Sequence, residues 1–586
     1  MTFHGTISEG IKKMKHINSR LFTALSILLF LFGMFYLFPL PQDAELLKIY
    51  KQKDADVSLL FSPQVKVVQE LNTCYLSYVQ SGFSSRLSRS GFQLEVLDRD
   101  TRAKRYYLVQ CPSDELPILS AYGIVRRIEQ DIVLFWSEYG EAREILPAQF
   151  HLVCLPDEPL YSLQRKFLES GEVFPPAARL PARLKTHPVI VEIVSKVSRQ
   201  NLTDRIQSLQ DFQTRYASTQ NCELSGTFIH DSFIQSGIQA GYNAFFFTGN
   251  NTSRNIVGTL QGAVDPAQVV VICAHYDSYS NQPDTLAPGA DDNASGTAAV
   301  LEAARIFAGY SFDFSVKFIC FSAEEWGLYG SKDYASKARQ QGEEIIAVIN
   351  LDMIAFTDIL PEDLDVISNP DSEWLADRFF SVTPLYAPLD IFKIVNSSFV
   401  WSDHSPFWNN GYSAILGIED YNVPNPYYHT THDTIDTLNF DFITDVMKAS
   451  LATVADLAQP VSAPLTPTGF ASRSQIVNSL FTSRKSVYLT WYSNQDPVTG
   501  YNLYRTTTSH SGYQKVNSTP LTQTYYLDRN LDPDTTYYYV VTAVDNQGRE
   551  SNYSREVTDS GENSSAPVRR EGPAFRNSTR TLSPRR

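Results

Sequence analysis

The chain has 586 residues and a formal net charge of −15, from 49 Lys and Arg against 64 Asp and Glu. This acidic balance argues against nucleic acid as the main partner, because phosphate binding needs a positive surface. Hydrophobic residues make up 43% and charged residues 19%, a globular rather than a disordered composition. Six cysteines are too few for a disulfide scaffold in a chain of this length. The sequence therefore describes a folded protein with several domains.

Residues 21–40 read LFTALSILLFLFGMFYLFPL and contain no charge. About twenty apolar residues are needed to cross a bilayer. Basic residues at 12, 13, 15 and 20 precede the stretch, which predicts a cytoplasmic tail over 1–20 and export of the chain after residue 41. We expect a transmembrane signal anchor at 21–40 that attaches the protein to a membrane. Secretion after signal cleavage is the alternative, although no small-residue cleavage site follows the stretch.

Residues 45–185 contain a weak internal repeat, in which 75–79 and 91–98 are echoed by 133–136 and 149–156. Strand-like runs alternate with short amphipathic stretches, which predicts a small α+β domain. It holds no catalytic constellation. A packing module is the favoured interpretation, and an inhibitory or chaperone-like pro-region is the other.

Residues 186–460 alternate apolar runs with helical patterns, which is typical of an α/β domain with an open, mixed, mainly parallel sheet. We expect strands at 269–274, 316–322 and 345–351, and helices at 295–308 and 332–341. From 464 onward short strands separated by turns predict an all-β sandwich. With Trp491 and a candidate tyrosine corner at Tyr537, residues 465–558 resemble a fibronectin type III module. We expect this module to be a spacer or to contact a surface or carbohydrate. Residues 559–586 are predicted to form a disordered tail.

Acidic residues and histidines cluster at five places in the α/β domain. The segments are H-Y-D at 275–277, G-A-D-D-N-A-S-G at 289–296, A-E-E-W-G at 323–327, N-L-D-M at 350–353 and Y-H-T-T-H-D-T at 428–434. Three of them follow predicted strands, at the sheet edge where ligands bind in open α/β folds. Two histidines and three carboxylates suit zinc, and a carboxylate can bridge two ions.

Together these segments resemble the di-zinc exopeptidases of metallopeptidase family twenty-eight, to which the bacterial leucyl aminopeptidases belong. The resemblance implies two Zn²⁺ per chain. His275 and Asp352 would hold one ion, and Glu325 and His429 the other. Asp292, which directly precedes Asn-Ala-Ser-Gly, would bridge them.

The resemblance also implies three catalytic side chains. Glu324 would be the general base, and Asp277 would support His275. Tyr428 stands directly before the last ligand and would polarise the scissile carbonyl.

The predicted function is therefore that of a zinc-dependent exopeptidase, an aminopeptidase that hydrolyses the first bond of peptide or protein N-termini. Three alternatives stay open: a carboxypeptidase, a single-zinc glutaminyl cyclase on the same fold, and a catalytically dead receptor or scaffold. The complete ligand set argues against the last two. No cluster of Arg or Lys accompanies the motifs, which argues against the first.

Overall fold

The computed structural model describes residues 44–53, 55–156, 159–160, 186–249, 251–358, 363–420, 425–461, 464–478, 483–494, 498–545 and 548–559. The chain divides into two compact units, 1–461 and 462–586. Within the described ranges no helix is long and apolar enough to span a bilayer. The predicted cytoplasmic tail and anchor over 1–40 lie outside those ranges, as does the predicted disordered tail 559–586 apart from its first residue.

The N-terminal part of the first unit contains two four-stranded antiparallel sheets. Their strands are β1 (Ala44–Tyr50), β2 (Val65–Glu70), β3 (Cys74–Gln80), β4 (Leu94–Asp98), β5 (Tyr107–Gln110), β6 (Ile124–Arg127), β7 (Ile132–Trp136) and β8 (Leu152–Cys154). Short helices connect them: α1 (Ser84–Arg89), α2 (Leu116–Leu119) and α3 (Ala142–Ile145). The strand orders are β2-β3-β1-β4 and β6-β7-β5-β8. The second sheet thus repeats the order of the first.

The rest of this unit is an eight-stranded sheet flanked by helices. Its strands are β9 (Gln239–Phe246), β10 (Thr252–Leu260), β11 (Asp265–His275), β12 (Phe314–Phe321), β13 (Glu344–Leu351), β14 (Asp363–Ser368), β15 (Asp390–Val395) and β16 (Ala414–Glu419). The helices are α4 (Pro188–Val194), α5 (Arg199–Gln210), α6 (Gln220–Gln235), α7 (Gly296–Phe307), α8 (Tyr329–Gln340), α9 (Glu373–Tyr386), α10 (His404–Asn409) and α11 (Phe440–Ala458).

The sheet order is β15-β14-β16-β13-β11-β12-β10-β9. The central strand β11 is parallel to both of its neighbours, β12 and β13, whereas β9 and β10 form an antiparallel edge. The apolar runs at the centre are buried on both faces, as expected where helices cover a parallel sheet. The predicted α/β fold class and its three predicted central strands are confirmed.

The parallel register brings together the carboxyl ends of the three central strands. His275 ends β11 and is paired with Phe321 at the end of β12, and Cys273 is paired with Asn350 near the end of β13. The polar segments that follow these strands therefore start side by side at one edge of the sheet.

The second unit is a β-sandwich of two sheets. One has the order β17-β18-β21 and the other β20-β19-β22-β23. The strands are β17 (Ala471–Asn478), β18 (Ser483–Thr490), β19 (Gly500–Thr506), β20 (Gln514–Lys515), β21 (Tyr525–Leu531), β22 (Tyr538–Val544) and β23 (Val557–Thr558). Trp491 is buried in its core, and the backbone N–H of Asp532 donates to the Tyr537 hydroxyl at 3.3 Å, as in a tyrosine corner. The predicted all-β sandwich is confirmed.

Candidate metal centre

The structure brings all five predicted ligands together in a buried cluster at the carboxyl edge of the sheet. His275 Nε2 lies 3.2 Å from Asp292 Oδ1 and 3.2 Å from Asp352 Oδ1. His429 Nε2 lies 2.9 Å from Glu325 Oε2 and 3.3 Å from Asp292 Oδ2. The Asp292 carboxylate thus presents one oxygen to each histidine, between the two pairs.

Hydrogen bonds at the far side of each ring define which imidazole nitrogen carries a proton. His275 Nδ1 donates to the backbone carbonyl of Asp277 at 3.0 Å, and His429 Nδ1 donates to the carbonyl of Ala148 at 2.7 Å. A carbonyl can only accept, so in each neutral ring the proton sits on Nδ1 and Nε2 presents a lone pair. Both lone pairs point at carboxylate oxygens. A cation between an Nε2 atom and these oxygens would be coordinated by both.

Buried atoms without hydrogen-bond partners support the same conclusion. Both carboxylate oxygens of Glu325, Oε1 of Glu324 and Nε2 of His429 are buried and form no hydrogen bond. Buried carboxylates are normally hydrogen-bonded, because an unpaired charge in the interior is costly. Imidazole nitrogen and carboxylate oxygen are ligands that suit zinc. The residues present therefore fit a metal centre.

Burial and nearby charges shift the pKa values of neighbouring groups in the cluster in opposite directions. Burial raises the pKa of Glu324 well above its ordinary value, although the nearby His275 opposes this shift. The pKa of Asp292 is lowered despite its burial, because His275 and His429 both approach it. Burial alone would lower the pKa of His429, but Glu325 and Asp292 raise it to about 9. A buried carboxyl of raised pKa beside ionised carboxylates is suited to accepting a proton.

Two further carboxylates hold the backbone of the ligand segments. Asp277 accepts from the backbone N–H groups of Glu324 and Glu325, at 3.2 and 3.3 Å. Its backbone carbonyl accepts from His275, while its carboxylate lies 3.6 Å from the same ring. Asp277 therefore contacts His275 and also anchors both glutamates.

Asp433 does the same for the turn 289–296. Its carboxylate accepts from the N–H groups of Asp291 and Asp292 at 2.9 and 3.0 Å. Asp291 itself points away from the cluster, since it accepts from the N–H of Ala355 and from Asn425. Between these adjacent acids, Asp292 is the one that contacts the histidines.

Glycines allow this turn to approach its surroundings closely. Gly289 has φ of +52°, and a Cβ there would lie 2.4 Å from the Asp292 carbonyl oxygen. A Cβ on Gly296 would lie 2.4 Å from the carbonyl oxygen of Leu351. The buried guanidinium of Arg215 donates to the carbonyls of Pro288 and Gly289, at 2.7 and 2.8 Å.

A cavity of about 510 Å³ opens next to the cluster. Its walls include the candidate ligands His275, Asp292 and Asp352, with Tyr428 beside them. The Tyr428 hydroxyl lies 2.5 Å from Nδ1 of His151, whose Nε2 lies 2.6 Å from the carbonyl oxygen of Trp401. Because that carbonyl accepts, Nε2 of His151 carries the proton and Nδ1 accepts from Tyr428. In this arrangement the hydroxyl proton of Tyr428 points to His151, and the polarising role predicted for Tyr428 requires that the hydroxyl rotate toward a substrate.

Sequence reasoning missed several residues around the cluster. Ser402 donates to Asp352 Oδ2 at 2.6 Å and accepts from Asn350 at 2.7 Å. Arg143 on α3 and His151 just before β8 come from the N-terminal part of the unit, where no motif marked them. The only signal for Ser402 was its place in the segment S-D-H-S-P-F at 402–407. In that segment, Nε2 of His404 is 2.9 Å from the carbonyl oxygen of Phe399 and is not part of the cluster.

Comparison with known families identifies the domain that carries this cluster. Residues 255–454 match the model of Peptidase family M28, and residues 476–560 match that of the Fibronectin type III domain. The chain carries a peptidase domain of family M28. The resemblance drawn from the motifs is confirmed, as is the one drawn for the C-terminal module.

Among similar proteins is a probable leucine aminopeptidase of Arthroderma otae. It is 29% identical over 337 residues, which cover 54% of this chain and 89% of that protein. Leucine aminopeptidase 1 of Phaeosphaeria nodorum is 27% identical over 50% of this chain and 78% of its own length. Among solved structures, the LapA aminopeptidase of Legionella pneumophila is 19% identical, with a TM-score of 0.47 over 61% of this chain and 100% of its own. The zinc aminopeptidase BSAP of Bacillus subtilis is 18% identical, with a TM-score of 0.40 over 45% and 96%.

Proposed function

We propose that the chain is a zinc-dependent aminopeptidase that removes residues from the N-termini of peptides. The observation that carries this proposal is the pair of imidazole Nε2 atoms that face carboxylates beside a cavity, within a family M28 domain. The similar proteins named leucine aminopeptidases support the same terminus. We assign His275 and Asp352 to one zinc ion, and His429 and Glu325 to a second.

Asp292 contacts both histidines and is the proposed bridging ligand. When bound, the zinc ions supply a more acidic water and positive charge for the substrate carbonyl. Glu324 is the proposed general base, since its Oε1 is buried without a hydrogen bond, close to His275 and Asp352. It takes a proton from the attacking water and delivers it to the departing amine nitrogen. Asp277 keeps Glu324 in position through the backbone hydrogen bond described above.

The charged residues of the cavity wall favour binding of a substrate's amino terminus over its carboxyl terminus. Glu115, Glu419 and Asp420 line the cavity, and none of its described lining residues is Lys or Arg. A carboxypeptidase needs a cation to hold the terminal carboxylate. An α-ammonium group is attracted by carboxylates instead.

Apolar side chains on the same walls indicate which terminal residue the cavity accepts. Phe399, Leu416 and Ile418 line it together with Met353. An aliphatic side chain of the substrate that packs against this wall stabilises the complex in proportion to the apolar area that is buried. We therefore propose a preference for a large apolar N-terminal residue.

The test combines zinc analysis with hydrolysis of amino-acid p-nitroanilides by a chain that starts near residue 42. We expect about two zinc ions per chain, chelator-sensitive cleavage, and faster cleavage of leucyl than of glutamyl p-nitroanilide. The matched control is Glu324→Gln, which we expect to retain zinc and lose turnover. Zinc binding with cleavage only of C-terminal residues would favour a carboxypeptidase. One zinc ion with cyclisation of N-terminal glutamine would favour a cyclase, and no zinc in a folded protein would favour a scaffold.

The domain boundaries 45–185, 186–460 and 465–558 and the location of the protein belong to the same proposal. The apolar stretch at 21–40, after a basic tail, supports anchoring with the catalytic domain exported. Fractionation of cells that produce the full chain tests this. Recovery of the uncleaved protein in the soluble fraction would contradict the anchor.

A further inference from the structure

The N-terminal sheets share a hydrophobic core with the peptidase sheet. Leu46 of β1 and Trp136 of β7 belong to one continuous buried cluster with Val271 of β11 and Phe321 of β12. A segment that is to be removed after folding would leave this apolar surface exposed to water. The burial is that of a permanent domain contact.

Arg143 on α3 reaches from the N-terminal domain to a candidate ligand. Its guanidinium is buried, its Nε donates to the backbone carbonyl of Glu325, and its Nη2 lies 3.9 Å from Glu325 Oε2. The same group donates to the carbonyl of Phe150 at 3.3 Å and lies 4.3 Å from the ring centre of Tyr279. Several contacts of one planar group leave it little freedom, so it holds Glu325 in place.

The loop after α3 also contacts the proposed ligand His429. The carbonyl of Ala148 accepts from Nδ1 of His429 at 2.7 Å, which fixes the ring so that Nε2 faces Glu325 and Asp292. A metal-ligating histidine usually donates its other ring N–H in this way. In this chain the acceptor comes from a different domain, 281 residues away in sequence.

His151 contacts the residue next to that ligand. It accepts from the Tyr428 hydroxyl and donates to the Trp401 carbonyl, so it links two walls of the cavity. Gln110, Glu115 and Gln149 of the same domain line the cavity as well. The cavity remains open with the N-terminal domain in contact, so this domain forms part of the cavity wall.

We infer that the N-terminal domain is a permanent part of the active site, in which Arg143, the Ala148 carbonyl and His151 are positioning groups for Glu325, His429 and Tyr428. This makes it neither a removable inhibitor nor a remote packing module. The inference deepens the proposed function and rests on it for the kinetic readout. Its zinc-affinity readout needs no peptidase activity.

The first test replaces Arg143 by Lys in the otherwise native chain. The charge near Glu325 stays, so a change reports on the lost fork of hydrogen bonds. We expect one of the two zinc ions to bind about 10-fold to 100-fold more weakly in competition with a chromophoric chelator. The matched control is Arg105→Lys, another N-terminal arginine that contacts the peptidase domain, through Tyr329 and not through a candidate ligand. Unchanged zinc affinity in Arg143→Lys would overturn the role of Arg143.

The second test separates positioning by His151 from simple packing. Glutamine at 151 can accept from Tyr428 and donate to the Trp401 carbonyl, whereas phenylalanine keeps a ring without polar atoms. We expect His151→Phe to lower kcat at least about 10-fold with little change in KM or zinc affinity. His151→Gln should restore most of the loss. Equal kcat in both variants and in the native chain would overturn the role of His151.

The third test asks whether the domain can be removed. A protease site is inserted within 161–185 of the full chain and cleaved, and the product is analysed by size-exclusion chromatography. We expect the two pieces to elute together with the zinc content and activity of the uncut chain. Release of the N-terminal piece with equal or higher activity would show a removable pro-region. A native chain that neither binds zinc nor cleaves peptides would instead refute the proposed function.

Discussion

Asp277→Asn is the substitution whose effect the structure defines most closely. The two carboxylate oxygens accept the backbone N–H groups of Glu324 and Glu325, the proposed base and a proposed ligand. Asparagine keeps one oxygen and replaces the other with NH₂, so a donor would face one of the two backbone donors. The side chain keeps its size, and the change is therefore electrostatic.

The magnitude follows from these two contacts. Their lengths of 3.2 and 3.3 Å are at the long end for N–H···O bonds, so one lost charged hydrogen bond is worth about 1.5 kcal/mol. Because the backbone N–H is left unpaired in the interior, the full cost is about 1–3 kcal/mol, which already includes the lost bond. This cost corresponds to a fall in kcat/KM of between about 5-fold and about 160-fold if all of it is lost in the transition state.

The assay measures kcat/KM on leucyl p-nitroanilide, zinc content and urea unfolding of the same preparations. The control is Asp528→Asn, at a buried aspartate of the sandwich unit that accepts from Arg505 and Tyr539. We expect this control to leave kcat/KM unchanged. Asp277→Asn with full zinc content and kcat/KM within about 3-fold of the native chain would refute the role given to Asp277.

Three further outcomes are expected. Gly296→Ala should lower the free energy of unfolding by at least about 1–3 kcal/mol and reduce zinc retention, because its Cβ would lie 2.4 Å from the Leu351 carbonyl oxygen. The control is Gly309→Ala, whose Cβ would have its nearest contact at 3.6 Å. Equal urea midpoints for the two variants would contradict the expected destabilisation. Removal of metal by a chelator should abolish cleavage and lower Tm, and addition of zinc should restore both. The reason is that a ligand at 100 times its Kd stabilises the native state by about 2.7 kcal/mol. An unchanged Tm after chelation would argue against the metal site. Deletion of 465–586 should leave cleavage intact, since the candidate ligands lie in the unit 1–461; a folded, zinc-loaded product without activity would contradict this.

The sequence alone determined the chemistry of the cluster and the fold of the domain that carries it. Central parallel strands are buried on both faces and therefore appear as apolar runs, such as the one that ends at His275. The polar segments that follow these runs must meet at one sheet edge, so the convergence of Glu324 and Asp352 on His275 could be predicted without coordinates. The glycines at 289 and 296 were also identified from the sequence, as part of the motif G-A-D-D-N-A-S-G.

The tertiary structure alone decided which atoms face each other. The motif already favoured Asp292 over Asp291 as the bridge, but only the fold showed that its two oxygens face Nε2 of His275 and of His429, while Asp291 accepts from Ala355. The sequence also paired Asp277 with His275, and the backbone hydrogen bonds to Glu324 and Glu325 followed only from the parallel pairing of β11 with β12.

The contribution of the N-terminal sheets and their loops was decided only by the fold. Arg143 and His151 lie 182 and 277 residues from the partners they contact, and their own surroundings in sequence contain no motif. Periodicity and spacing report on local backbone geometry, over a few turns or one strand. The contact between the N-terminal sheets and the eight-stranded sheet depends on how their apolar surfaces fit, and that fit places the Ala148 carbonyl against His429.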